Sequence, residues 1–151
     1  MLSKNDIQII SHLRNNARKK VTEISKQMKM PATTIYDKIK SHQRKGIVKR
    51  HVALLDFSKL GYNSSAILAL KVSAEQRKQL QEYLESHPNV NSLYKVNFDH
   101  DFVAECVFKD TGNLQDFIEE TESKFTIKNS KVFSIVKEIK KEGFLSSSLL
   151  P

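Results

Sequence analysis

Between Thr33 and Arg44 the chain sets out side chains that could bond a nucleic acid. With Ile35 placed at zero and about 100° per residue, Ile39 at about 40° and His42 at about −20° form the inward side of a helix. Thr33, Tyr36, Asp37, Lys40 and Arg44 fall opposite, and Thr34 and Lys38 lie on one flank. Hydroxyls, one phenol and one carboxylate at this spacing can bond base edges, which assigns that work to Thr33, Thr34, Tyr36 and Asp37. Lys38, Lys40 and Arg44, with Lys49 shortly after the helix, suit phosphates. An ordinary solvated helix face would mix its charges as pairs one turn apart. From Lys38 to Arg50 this chain has Lys38, Lys40, Arg44, Lys45, Lys49 and Arg50 and no acid.

No other group of residues makes as strong a case for chemistry. Asp99, His100 and Asp101 are metal-ligand types, but three adjacent polar residues fit a solvated turn at least as well. The single Cys106 lies in the alternating run Phe102–Phe108, where a buried structural thiol is expected and no internal disulfide is possible. No paired nucleophile and base, phosphate loop or metal constellation stands out, so no enzyme activity, cofactor or metal is expected.

The charge distribution supports the same partner. Of the formal charge of +8, residues 1–60 hold 14 Lys and Arg against 4 Asp and Glu, while the remaining residues are slightly acidic. A basic half on a globular composition of 39% hydrophobic and 28% charged residues favours a polyanion such as double-stranded DNA. No apolar run approaches the roughly 18 to 20 residues of a membrane span, and no signal-peptide core follows Met1. A cytoplasmic location without membrane contact is expected.

Three helices are expected to carry the basic face. Ile7, Ile10, Leu13 and Ala17 suggest one apolar stripe ending near Asn15 and Asn16, and Thr22 suggests the N-cap of a second helix bearing Ile24 and Met28. Pro31 opens the third helix and Gly46 stops it. The short link from Lys29 to Ala32 has the length of a helix-turn-helix. Val48, Val52 and Leu54 alternate behind it as a wing strand.

Further along, the hydrophobic period switches repeatedly between two and 3.6. Strands are expected at Ser65–Val72, Val90–Phe98, Phe102–Phe108 and Lys131–Ile139, with helices at Ala74–Ser86 and Asn113–Phe125. The order βαββαβ implies an antiparallel sheet with two helices on one face. Val90, Tyr94, Val96 and Phe98 should share one side of their strand. Both faces of Phe102–Phe108 are largely apolar, which predicts a dimer through the uncovered face. The fold class is therefore α+β, a winged helix-turn-helix followed by a ferredoxin-like domain. The expected divisions are 1–50 for DNA binding, 51–63 for wing strand and hinge, 64–142 for oligomerisation and, by the family resemblance given next, effector sensing, and 143–151 for a tail.

Several stretches together resemble the leucine-responsive and asparagine-synthesis regulator (Lrp/AsnC) family from about Leu2 to Lys140. They are Leu2–Ile7, Asn16–Arg18, Glu23–Ser25, Thr33–Ile39, Gly46–Lys49, and Leu55–Asp56 with Leu60–Gly61. The resemblance implies a sequence-specific DNA-binding regulator whose third helix enters the major groove. It also implies homodimers that assemble further, with an octamer as one size, and an amino-acid or other small effector. The effector contacts implied are Asn97, Phe98, Asp99, His100 and Asp101, although Asn97-Phe98 stands where relatives commonly carry Thr-Gly. Sirohaem decarboxylases share the architecture and form the enzymatic alternative, which would not need the basic half. An RNA-binding sheet is the other alternative, but Asp101–Ala104 lacks its Lys/Arg-Gly-aromatic signature.

Overall fold

Ser3 determines where the first helix begins. Its hydroxyl accepts the Asp6 backbone N–H at 3.1 Å, and the Asp6 carboxylate accepts the Ser3 N–H at 3.0 Å, closing a capping box. In the computed structural model, which describes residues 1–147, α1 spans Lys4–Asn15, α2 Val21–Met28 and α3 Ala32–Arg44. Their common core is Ile9, Ile24 and Ile35, each fully buried. The expected stripe on α1 is thus corrected. Ile9 is its centre, Leu13 packs beside it, and Ala17 lies beyond the helix and is exposed. Lys20, not Thr22, occupies the N-cap of α2, because the helix starts at Val21.

Lys29 ends α2 in the left-handed region at φ 53°, and Pro31 occupies the N-cap of α3. Beyond α3, Gly46 takes φ 70°, where a side chain would be strained. The expected wing strand is absent. Residues 47–57 have no strand, and Val52 and Leu54 are exposed. Alternation alone cannot make a strand. The backbone also needs a neighbouring ladder, and among the described residues this segment pairs with none.

The remaining elements are β1 (Ser64–Val72), α4 (Arg77–Ser86), β2 (Val90–Lys95), β3 (Phe102–Phe108), α5 (Thr111–Lys124) and β4 (Ile127–Ser134). They form one four-stranded antiparallel sheet in the order β2-β3-β1-β4, as the βαββαβ pattern requires. Leu68 faces Ala104 across β1 and β3, so Ala66, Leu68, Leu70 and Val72 share a face with Phe102, Ala104, Cys106 and Phe108. Leu80 and Leu84 of α4 and Leu114 and Phe117 of α5 close that face into the core. β4 begins and ends earlier than expected. Ile135, Val136 and Ile139 lie beyond it and are exposed.

β2 departs from simple alternation. Its register with β3 shifts between Val90 and Ser92, which puts Val90 and Leu93 on the core side and Tyr94 on the other. The strand stops at Lys95, so Val96 and Phe98 belong to the following turn. The chain divides into two compact units. One holds residues 1–54 together with residues 139–147, and the other is Leu55–Glu138. Within the first unit, residues 142–147 return to α1 and are hydrogen-bonded to it.

Candidate nucleic-acid interface

α3 is held by one buried residue per turn on its inner side. Ile35 is fully buried, Ile39 packs against the same cluster, and His42 is 3% exposed. The His42 carbonyl accepts backbone N–H groups from both Ile47 and Val48, which fixes the chain leaving the helix. Rotation about the axis then leaves the opposite side in solvent, where Thr33, Tyr36, Asp37, Lys40 and Arg44 are all exposed. Thr34 is half-buried on the flank, and Lys49 is exposed in the segment after the helix. The Lys40 ammonium sits 5.5 Å from the Tyr36 ring centroid, within cation–π range.

Lys38 behaves differently from the other cations. Its Nζ donates to Asp6 Oδ1 at 2.8 Å, joining α3 to the start of α1. His42 Nε2 stands 3.3 Å from the same oxygen, within ion-pair range but outside hydrogen-bond geometry, and its Nδ1 has no hydrogen-bond partner. The Lys38 hydrogen bond, followed by those from Ser3, holds the Asp6 carboxyl well below the usual carboxylate range. Asp6 was not among the residues singled out from sequence. Its signal there was the capping spacing from Ser3, which does not reveal a partner 32 residues away.

The implied effector residues lie together in the turn between β2 and β3. Val96 N–H donates to the Asp101 carbonyl at 2.9 Å and closes the turn. Phe98 adopts φ 66°, an unfavourable region for a bulky residue, and is 89% exposed. The Asp101 carboxylate is engaged by the Val72 N–H at 3.0 Å and by Arg77 Nε at 3.1 Å. His100 Nε2 is 3.4 Å from the Asn129 amide, while Asn97 and Asp99 are exposed. No cluster of three or more His, Cys, Asp or Glu side chains suited to a metal occurs among the described residues.

The turn does not line the cavity of about 740 Å³ in the Leu55–Glu138 unit, which sequence reasoning missed. Phe57, Tyr62, His87, Lys109, Asp116 and Phe117 are among its walls. Burial chiefly depresses the His87 imidazole pKa, keeping the ring neutral near pH 7. Among the described residues, no helix is long and apolar enough to cross a membrane.

Residues 65–145 match the family model described as the Lrp/AsnC ligand binding domain. The HTH-type transcriptional regulator FL11 of Pyrococcus horikoshii is 28% identical over 118 residues, covering 78% of each chain. An uncharacterized HTH-type transcriptional regulator of the same organism is 29% identical over 143 residues, covering 95% of this chain and 90% of that one. Among solved structures, a transcriptional regulator of Neisseria meningitidis in complex with L-Met superposes with TM-score 0.86 at 22% identity, covering 93% and 94% of the two chains. An AsnC family transcriptional regulator from Agrobacterium tumefaciens gives TM-score 0.83 at 22% identity, covering 99% and 97%. The three-helix unit, the βαββαβ sheet and the family match across more than half the sequence agree, and the chain belongs to the Lrp/AsnC family of transcription regulators.

Proposed function

We propose that the chain regulates transcription by binding double-stranded DNA in a sequence-specific manner, with α3 in the major groove. The observation that carries this reading is the solvent-facing side of α3, where Thr33, Tyr36, Asp37, Lys40 and Arg44 are exposed together. Thr33, Thr34, Tyr36 and Asp37 read base edges, and Lys40, Arg44 and Lys49 contact phosphates. Lys38 joins them only when it leaves Asp6. Removing Lys40 and Arg44 together should weaken binding to every duplex and lower the salt slope by up to about two. Unchanged affinity and slope in that double variant would falsify the reading.

A homodimer through the open face of the sheet completes the site, because paired half-sites about one helical turn apart suit a two-fold axis. Ile67, Ala69 and Val103 pair across that face, and Tyr94 and Phe133 extend it with 60% and 57% exposure. Apolar side chains so placed support burial against a second copy, from which larger assemblies such as an octamer can be built.

An amino acid or similar small effector is the finer part of the reading, supported by the match to a ligand-binding domain. Asn97, Phe98, Asp99 and His100 are its candidate contacts, since Asp101 is already engaged. Thermal-shift screening of the free amino acids against wild type and Asp99→Ala tests this. Stabilisation by none of them, or equal stabilisation of both proteins, would remove the turn from consideration.

A further inference from the structure

The inner side of α3 carries an ionisable arrangement that DNA reading does not require. Asp6 Oδ1 has two cationic claimants one helical turn apart, Lys38 at 2.8 Å and His42 at 3.3 Å. They differ in freedom. The Lys38 side chain is 33% exposed and can swing into solvent on its flexible stem, whereas the His42 side chain is 4% exposed and cannot leave. The segment after α3 carries Lys45, Lys49, Arg50 and His51 and meets His42 through the backbone N–H groups of Ile47 and Val48 on its carbonyl, and among the described residues no hydrogen bond reaches the ring nitrogens from it. Among the described residues, no ion pair or hydrogen bond reaches the ring from α2.

We propose that His42 is a proton-operated latch on Lys38, setting whether that lysine is available to a DNA phosphate. With His42 neutral, Asp6 retains Lys38. Protonation of His42 places a fixed positive charge beside Asp6, neutralises the carboxylate locally and repels Lys38 across one turn of α3. The exposed lysine is the partner that moves, and the flank of α3 gains a free ammonium. Linkage requires the converse effect. Binding a phosphate through Lys38 empties its place at Asp6 and favours protonation of His42.

The proposal rests on the DNA-binding reading, and the experiment separates the two. Duplex affinity is measured against salt at pH 7.5 and pH 5.5 for wild type and His42→Leu. The other histidines are common to both proteins, so their effect cancels in the comparison. The wild-type salt slope should steepen at pH 5.5 by about one more than that of His42→Leu. Equal steepening in both proteins overturns the latch. Should circular dichroism show His42→Leu unfolded, Asp6→Asn serves instead, with Lys38 free and the steep slope present at both pH values. Asp6→Asn retaining the full wild-type pH step overturns the latch. Wild type that binds no duplex at either pH counts against the DNA reading alone. In that event nuclear magnetic resonance of the free protein decides, since the Lys38 side-chain signals must follow the His42 imidazole titration. Lys38 signals indifferent to that titration overturn the latch whatever the protein binds.

Discussion

Arg14 on α1 grips Glu142 at two points. One guanidinium nitrogen meets the Glu142 carboxylate and another its backbone carbonyl, both at 3.0 Å, while Nε bonds the Phe144 carbonyl at 2.9 Å. Ser11 and Asn15 add bonds to the carbonyls of Ser147 and Ser146. The returning C-terminal segment is thereby fastened to the first unit by donors along one helix.

Arg14→Ala should destabilise that fastening by about 1 kcal/mol, because a group this exposed is screened by solvent. Hydrogen exchange is the direct measurement, and amides of residues 142–147 should exchange on the order of fivefold faster. Glu142→Gln should cost less, since it leaves the two carbonyl bonds intact.

Base reading by the outer face of α3 predicts a change in preference. Tyr36→Ala removes a phenol that could reach a base edge and also the ring beneath Lys40. Selection from random duplexes should return an altered consensus for Tyr36→Ala and for Thr33→Ala. A uniform loss on all sequences would assign both residues to backbone contact.

Cys106 should be unreactive in the native protein. Burial, followed by the neighbouring Glu105 charge, pushes its thiol up to about 12, leaving negligible thiolate at pH 8. A disulfide reagent should label it in urea and leave it unlabelled in native buffer. Rapid native labelling would contradict its place in the core.

Protonation of His87 should oppose folding. Its folded imidazole pKa is depressed by burial, so the unfolded chain takes up the proton first as pH falls. The associated stability is fully present above the unfolded value of about 6.5 and is lost below it. Between pH 8 and pH 5 the urea midpoint should therefore fall, and His87→Gln should fall less. Some loss will remain in that variant, because burial and the Lys19 charge depress His12 in the same direction.

The open sheet face gives the assembly test. Val103→Glu introduces a charge among Ala69, Tyr94 and Phe133 without touching the helix-facing core. Light scattering should report a smaller species than for wild type, with the sheet's circular dichroism retained. A wild type that is already monomeric at micromolar concentration would rule out this interface.

Much of the site was legible because it depends on angles that the backbone fixes locally. A helix repeats every 3.6 residues, so Ile35 and His42 inward entails Tyr36, Lys40 and Arg44 outward in any protein where the helix forms. Alternation likewise separated Phe102, Ala104, Cys106 and Phe108 from Val103, and the order of periods implied the sheet. These features need only neighbours within a turn or a strand, together with a core to face.

Only the tertiary structure decided what required groups distant in sequence. Lys38 looked like any other phosphate cation until Asp6, on another helix, was found within 2.8 Å of it. A bulge near Asn91 turned Val90 and Tyr94 to opposite faces, and an unpaired backbone left the expected wing without a strand. The return of the C-terminal segment to Arg14 also has no local period. The sequence by itself determined which surfaces could bind, and long-range pairing decided which charges on them are free to do so, since an ion pair depends on a distance that no periodicity encodes.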